Sequence, residues 1–166
     1  MVVFDSSTLI LLAKVDLLDE FLNDYGGKVL IPREVETESC YRKKSFDALL
    51  IRKRIQEKKI VVMKMSNTAL CTRLMQDFRI CKGEAETLVL ALERKAKLVA
   101  TDDKNAIKAC KLLKLSFTSA IAILVRLSEK GIIDTEMTET ALETLVKNGR
   151  YSDGIVKMAK EKLKIK

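Results

Sequence analysis

Short apolar runs alternate with stretches of helical spacing over roughly the first 118 residues. Val2-Val3-Phe4 reads as a strand that ends on a carboxylate, Asp5, and Ser6, Ser7 or Thr8 can cap a helix carrying Leu9, Ile10, Leu12 and Ala13. Val29-Leu30-Ile31 repeats the arrangement. Pro32 is expected as the first helical residue, where its missing N–H costs nothing, with Glu34, Val35 and Glu38 following. Phe46 to Glu57 reads as an amphipathic helix with Phe46, Leu49, Leu50 and Ile55 on its apolar side. Ile60-Val61-Val62 and Leu98-Val99-Ala100 are further strands. Helices are expected from Ser66 or Asn67 through Met75, from Glu84 to Lys95, and through Ala106, Ile107, Cys110 and Leu113.

Strands of this length separated by helices predict a three-layer α/β sandwich around a central, mostly parallel sheet. Ligands of such sheets bind outside the carboxyl ends of the strands. Beyond Phe117 the pattern is wholly helical, over Ala120–Lys130, Thr135–Lys147 and Ser152–Lys164. We therefore expect one domain, with a core over 1–118 and C-terminal helices over 119–166. Ile121, Leu124, Val125, Leu142 and Leu145 give that end more apolar surface than a small sheet needs, which predicts a homodimer.

Composition narrows the chemistry. The chain has no histidine, so Ser-His-Asp and Cys-His catalysis and a histidine-bound zinc are excluded. Cys40, Cys71, Cys81 and Cys110 form no CxxC pair and are expected as reduced packing residues. No Walker-type loop or dinucleotide fingerprint occurs. No apolar run approaches the roughly 20 residues that span a bilayer, and the first residues lack the basic region of a secretory signal, so a soluble, cytoplasmic protein with no membrane contact is expected. The net charge of +8 favours a polyanionic partner.

The acids supply the strongest signal. Asp5, Glu34, Glu38, Glu84, Glu86, Asp102 and Asp103 fall where strands end or the next helices begin. Helix macrodipoles and capping alone would account for Glu34, Glu84 or Glu86. They account less well for Asp5, directly after an apolar strand, or for the adjacent pair Asp102-Asp103. Gathered on one sheet edge, these carboxylates would repel one another unless cations lay among them, and oxygen-only ligation suits Mg²⁺ or Mn²⁺. Two such cations about 4 Å apart activate water and stabilise a leaving oxygen in phosphodiester hydrolysis without histidine.

The segments Val3-Phe4-Asp5-Ser6-Ser7-Thr8-Leu9-Ile10, Ile31-Pro32-Arg33-Glu34-Val35-Glu36-Thr37-Glu38, Gly83-Glu84-Ala85-Glu86-Thr87 and Ala100-Thr101-Asp102-Asp103 resemble, in order and spacing, the acidic motifs of PIN-domain nucleases. The helical end, through Gly131 to Gly149-Arg150-Tyr151-Ser152, resembles a prokaryotic subfamily with an α-helical extension. The resemblance implies an endoribonuclease that binds Mg²⁺ or Mn²⁺ and cuts RNA, often a homodimer and often a toxin paired with an antitoxin. It implies catalytic roles for Asp5, Glu38, Glu84 and Asp103, and a metal-ligand set that adds Glu86 and Asp102. Glu84 stands where many members carry aspartate, and Ser119-Ala120 where this subfamily usually has a glycine-containing turn.

Rival constellations are weaker. A haloacid-dehalogenase-type phosphatase needs a second aspartate where Ser7 stands, and a phospho-receiver domain carries its acidic pair near the first strand. The alternative from another class is a catalytically degenerate PIN fold serving as a protein- or RNA-binding module. Arg42-Lys43-Lys44, Arg52-Lys53-Arg54 and Lys58-Lys59 are candidates to flank an RNA groove, or a solvated helix face. With aromatics at 5% and no tryptophan, backbone recognition should outweigh base stacking.

Overall fold

Val2 and Phe4 pack against one layer of helices and Val3 against the other, the two-residue alternation of a strand covered on both faces. The same holds for Val29 and Ile31 against Leu30. These strands are β1 (Val2–Phe4) and β2 (Val29–Pro32); with β3 (Ile60–Met63), β4 (Leu98–Ala100) and β5 (Phe117–Thr118) they make a five-stranded sheet. The structure, a computed structural model, describes residues 1–165. Every neighbouring pair is parallel and the order is β3-β2-β1-β4-β5. The chain builds outward from β1 to β3 on one side, then crosses back and builds from β4 to β5 on the other. The carboxyl ends of β1 and β4 therefore flank the point where the strand order reverses, the usual place for a ligand in such a sheet.

The helices are α1 (Ser6–Lys14), α2 (Leu18–Tyr25), α3 (Arg33–Ser39), α4 (Phe46–Gln56), α5 (Thr68–Phe78), α6 (Lys82–Glu93), α7 (Lys104–Leu112), α8 (Ala120–Glu129), α9 (Thr135–Asn148) and α10 (Asp153–Leu163). Leu9, Leu12, Phe21, Ile51 and Leu124 join one core layer. Leu74, Leu88, Val89, Ala106 and Cys110 join the other. The result is the α/β sandwich with C-terminal helices that the alternation predicts. Among the described residues, no helix is long and apolar enough to cross a membrane.

Three local expectations change. Residues 18–25, to which the pattern assigns no element, form α2; the helix has only eight residues and no side-chain cap, so it carries no start signal. Pro32 ends β2 and caps α3 rather than beginning it. On α4 the buried side chains are Ala48 and Ile51, while Phe46 and Leu49 are 67% and 49% exposed. A small alanine marks the buried stripe there, and bulk alone misplaces it.

The apolar side chains that predict a dimer are spent within the chain. Ile121, Leu124, Val125, Leu142 and Leu145 all lie in the core shared with β1, so they leave no apolar face of their own. The large apolar residues still exposed in this part of the chain are Phe117, Val146, Ile155 and Met158. All four cysteines are free; Cys40, Cys71 and Cys110 are buried, whereas Cys81 is exposed at the start of α6.

Candidate active site

Asp5 is where β1 becomes α1. Its N–H still donates to Ala100 O at 3.0 Å, continuing the sheet, while its Oδ1 accepts from Thr8 N–H at 2.9 Å and caps the helix. Ser7 Oγ donates to the same oxygen at 3.0 Å, and Thr101 Oγ1 donates to Oδ2 at 2.5 Å. The residue is 1% exposed. Burial lifts its carboxyl from 3.8 to about 7, against the lowering effect of the bonds from Thr101 and Thr8, and the charge of Asp102 adds to the rise.

Asp102 follows β4 one strand away. Its Oδ2 accepts from Thr8 Oγ1 at 2.7 Å and Ala120 N–H at 3.0 Å, and its Oδ1 accepts from Tyr151 O–H at 2.6 Å. Asp103 caps α7, Oδ1 accepting from Asn105 N–H and Ala106 N–H, both at 2.8 Å. Burial raises the Tyr151 phenol above its ordinary value, with the Asp102 charge pushing the same way.

Glu38 and Glu84 come from α3 and α6. Ser6 Oγ donates to Glu38 Oε2 at 2.6 Å. Glu84 Oε2 accepts from Cys81 N–H at 2.8 Å, half of a capping box. Burial raises the Glu84 carboxyl, and the charges of Asp103 and Glu38 raise it further, so these three acids lie within electrostatic reach of one another. Glu86 is not brought to them. Two residues along a helix is about 200° around its axis, so Glu84 and Glu86 cannot share a face. Glu86 Oε2 instead accepts from Glu34 N–H at 3.3 Å, and its Oε1 lies 3.9 Å from Lys82 Nζ, which also pairs with Glu34 at 2.6 Å.

Asp5, Glu38, Glu84, Asp102 and Asp103 thus belong to the carboxyl edge of the sheet; Glu84, Asp102 and Asp103 line a cleft of about 310 Å³ together with Ser7, Lys14 and Arg150, while Asp5, buried behind Ser7, and Glu38 stand outside that lining. Their free valences differ. Glu38 Oε1, Glu84 Oε1 and Asp103 Oδ2 accept no hydrogen bond among the described residues, whereas both oxygens of Asp5 and of Asp102 are engaged. None of the three open oxygens is buried without a partner, so they face solvent. This all-oxygen donor set fits a hard divalent cation in chemistry. In spacing, no three acidic or cysteine side chains among the described residues stand as a ready-made metal group.

Three residues of the basic runs staple the fold. Arg54, its side chain 13% exposed, holds Asp19 through both carboxylate oxygens at 2.5 Å and Glu57 at 2.8 Å. Arg52 donates to the carbonyls of Cys40 and Lys43, and Lys43 to that of Glu38. The cations that line the cleft, Lys14 and Arg150, belong to none of those runs. Arg150 and Tyr151 fall in the segment Gly149-Arg150-Tyr151-Ser152 already matched to the helical extension, but nothing in the sequence ties them or Lys14 to the acids; the fold brings them there.

A parallel sheet that reverses its strand order beside carboxylates from several segments places those acids where such sheets bind their ligands. The family model DUF3368, described as a PIN domain, matches residues 1–164, and the chain belongs to that family. PIN domains are in general nucleases that use divalent metal ions, so the chain's function is of nuclease type. No curated protein matches the chain in sequence.

Proposed function

We propose that the protein is a metal-dependent endoribonuclease hydrolysing RNA phosphodiester bonds in the acid-lined cleft, with Mg²⁺ or Mn²⁺ as cofactor. The observation that carries this is the meeting of Asp5, Glu38, Glu84 and Asp103, from four separate segments, at one sheet edge, with open oxygens on three of them. Those four would hold the cation, which when bound supplies an acidified water and charge neutralisation at the phosphate.

The chain's own groups do the rest. Asp5, held by Thr8, Ser7 and Thr101, is fixed in orientation before any ligand arrives. Ser6 fixes Glu38 in the same way. Asp102, tied to Thr8, Ala120 and Tyr151, and Glu86, turned to Glu34 N–H and Lys82, are positioning and structural acids in this reading; Asp5, whose oxygens are also engaged, would take the cation by giving up a side-chain donor such as Ser7. The net charge of +8 draws the polyanion in. The reading extends to a cytoplasmic toxin with an antitoxin partner and to a homodimer, for which exposed Phe117, Ile155 and Met158 beside the cleft offer apolar surface.

The test is incubation of pure protein with mixed RNAs in Mn²⁺, Mg²⁺ or EDTA, alongside the Asp5→Asn variant. Cleavage in either cation, absent in EDTA and absent in the variant, is expected. Cleavage that survives the variant at the parental rate overturns the assignment, and absence of cleavage with absence of Mn²⁺ binding returns the chain to a degenerate binding module.

A further inference from the structure

A cleft lined with acids repels the very polymer it is to cut, so substrate phosphates need fixed cations that the acids do not neutralise. Arg150 and Lys14 line the cleft beside Asp102 and Asp103, and among the described residues neither has an ion-pair partner. Arg150 also lines a second, larger groove of about 510 Å³ beside α8 and α10, whose rim carries Lys104, Arg126 and Lys162. It is therefore shared by the acid cleft and an apolar-floored groove in which Lys104, Arg126, Arg150 and Lys162 outnumber the acids Asp102 and Glu129. A planar guanidinium suits a phosphate oxygen pair better than any other side chain.

An arginine on a turn between two helices would ordinarily wander. Here the turn is hitched. Tyr151 O–H donates to Asp102 Oδ1 at 2.6 Å. The other oxygen of Asp102 is held by Thr8 of α1 and by the N–H of Ala120 at the head of α8. The tyrosine ring lies so close over Gly149 that a side chain there would collide with it, and Gly149 N–H closes α9 by donating to Leu145 O at 2.6 Å. The residue after Arg150 is thereby fixed to Asp102, just past β4 and next to Asp103, and the residue before it to the end of α9.

We infer that the turn Gly149–Tyr151 is a phosphodiester-binding arm of the cleft: Arg150 holds a substrate phosphate beside the acids, and Tyr151, through Asp102, is the positioning residue that sets it there. The inference rests on the nuclease reading and names the residues by which that site takes its substrate.

The experiment is a double-mutant cycle of Arg150→Ala and Tyr151→Phe. Binding of a short labelled oligoribonucleotide is read by anisotropy in the cleavage-deficient Asp5→Asn background. In the parental background kcat and KM are read with Mn²⁺. Each single change is expected to weaken binding about tenfold, the double change about tenfold as well, and Arg150→Lys should restore part of the loss. KM should carry the effect, with kcat within about twofold of the parent. Independent losses that multiply to about a hundredfold in the double variant overturn the coupling, as does Tyr151→Phe that lowers only thermal stability. Unchanged binding in Arg150→Ala overturns the arm while leaving the nuclease reading intact. A parent that cleaves no RNA overturns the nuclease reading, and the binding cycle still decides the arm.

Discussion

The carboxylate of Glu38 rests directly on the backbone of Gly83, so that a β-carbon at that glycine would come within 2.5 Å of Glu38 Oε2. The contact joins α3 to the first turn of α6, one residue before Glu84. Gly83 lies in an ordinary helical stretch with no left-handed backbone to protect. Its glycine is required for space.

The variant Gly83→Ala should consequently separate fold from function. Alanine suits the helix and should hold or raise stability by up to about 1 kcal/mol. Glu38, at the far end of a flexible side chain, has to swing off its seat and lose Ser6. Cleavage should fall about tenfold or more while the thermal midpoint is unchanged or higher. A variant that cuts at the parental rate would show that Glu38 does not act from this position.

Asp5 makes the stability of the folded protein depend on pH. Its carboxyl ionises near 3.8 when exposed and near about 7 in the folded protein. Between those values the folded state binds the extra proton, so the contribution of Asp5 to stability is complete below about pH 4 and is lost as pH rises toward 7. In metal-free buffer the parent should lose thermal midpoint relative to Asp5→Asn by several degrees from pH 4 to pH 8. Asparagine keeps the acceptor for Thr8 N–H and the cap. Parallel midpoint curves for the two proteins would refute the buried, proton-holding state of Asp5.

Arg54 ties α4 to α2 through Asp19. Removing it by Arg54→Ala leaves a half-covered carboxylate without its partner and should cost roughly 1–3 kcal/mol in urea unfolding. No residue of α2 or α4 lines the acid cleft, so kcat/KM under folding conditions should be unchanged. Lost activity at full folding would mean that the basic stretch 52–54 touches substrate after all.

Lys14, at the end of α1, is a second cation that lines the cleft and, like Arg150, has no ion-pair partner among the described residues. Lys14→Ala should weaken RNA binding across sequences alike and reduce the slope of log Kd against log salt by about 1. An unchanged slope would place the phosphate path elsewhere.

How much of this was readable beforehand follows from the range of each interaction. Strand and helix alternation is local, and Asp5 and Asp102-Asp103, at the ends of apolar strands, already point to the carboxyl edge of the sheet. Two residues apart on a helix, Glu84 and Glu86 stand about 200° from each other, yet the ligand set implied by the resemblance holds both, and the fold turns Glu86 away to Glu34 and Lys82. The face of α4 is another matter. Ala48 and Ile51 are chosen over Phe46 and Leu49 by packing against α1 and by the pull of Asp19 on Arg54, none of which is written in α4 itself. Tyr151 reaches Asp102 across 49 positions, and no spacing rule marks such a pair.

The strand order reported above also sets a schedule. Asp5, Glu38 and Glu84 are made early, but β4, which enters the sheet beside β1 on its second side, and Asp103 come after residue 97, and the arm bearing Arg150 near the end of the chain. Acids that stand far apart in the sequence thus come to share one edge only once β4 has paired with β1, so no fragment that stops before residue 98 holds the acid-lined edge, however many of its acids it carries.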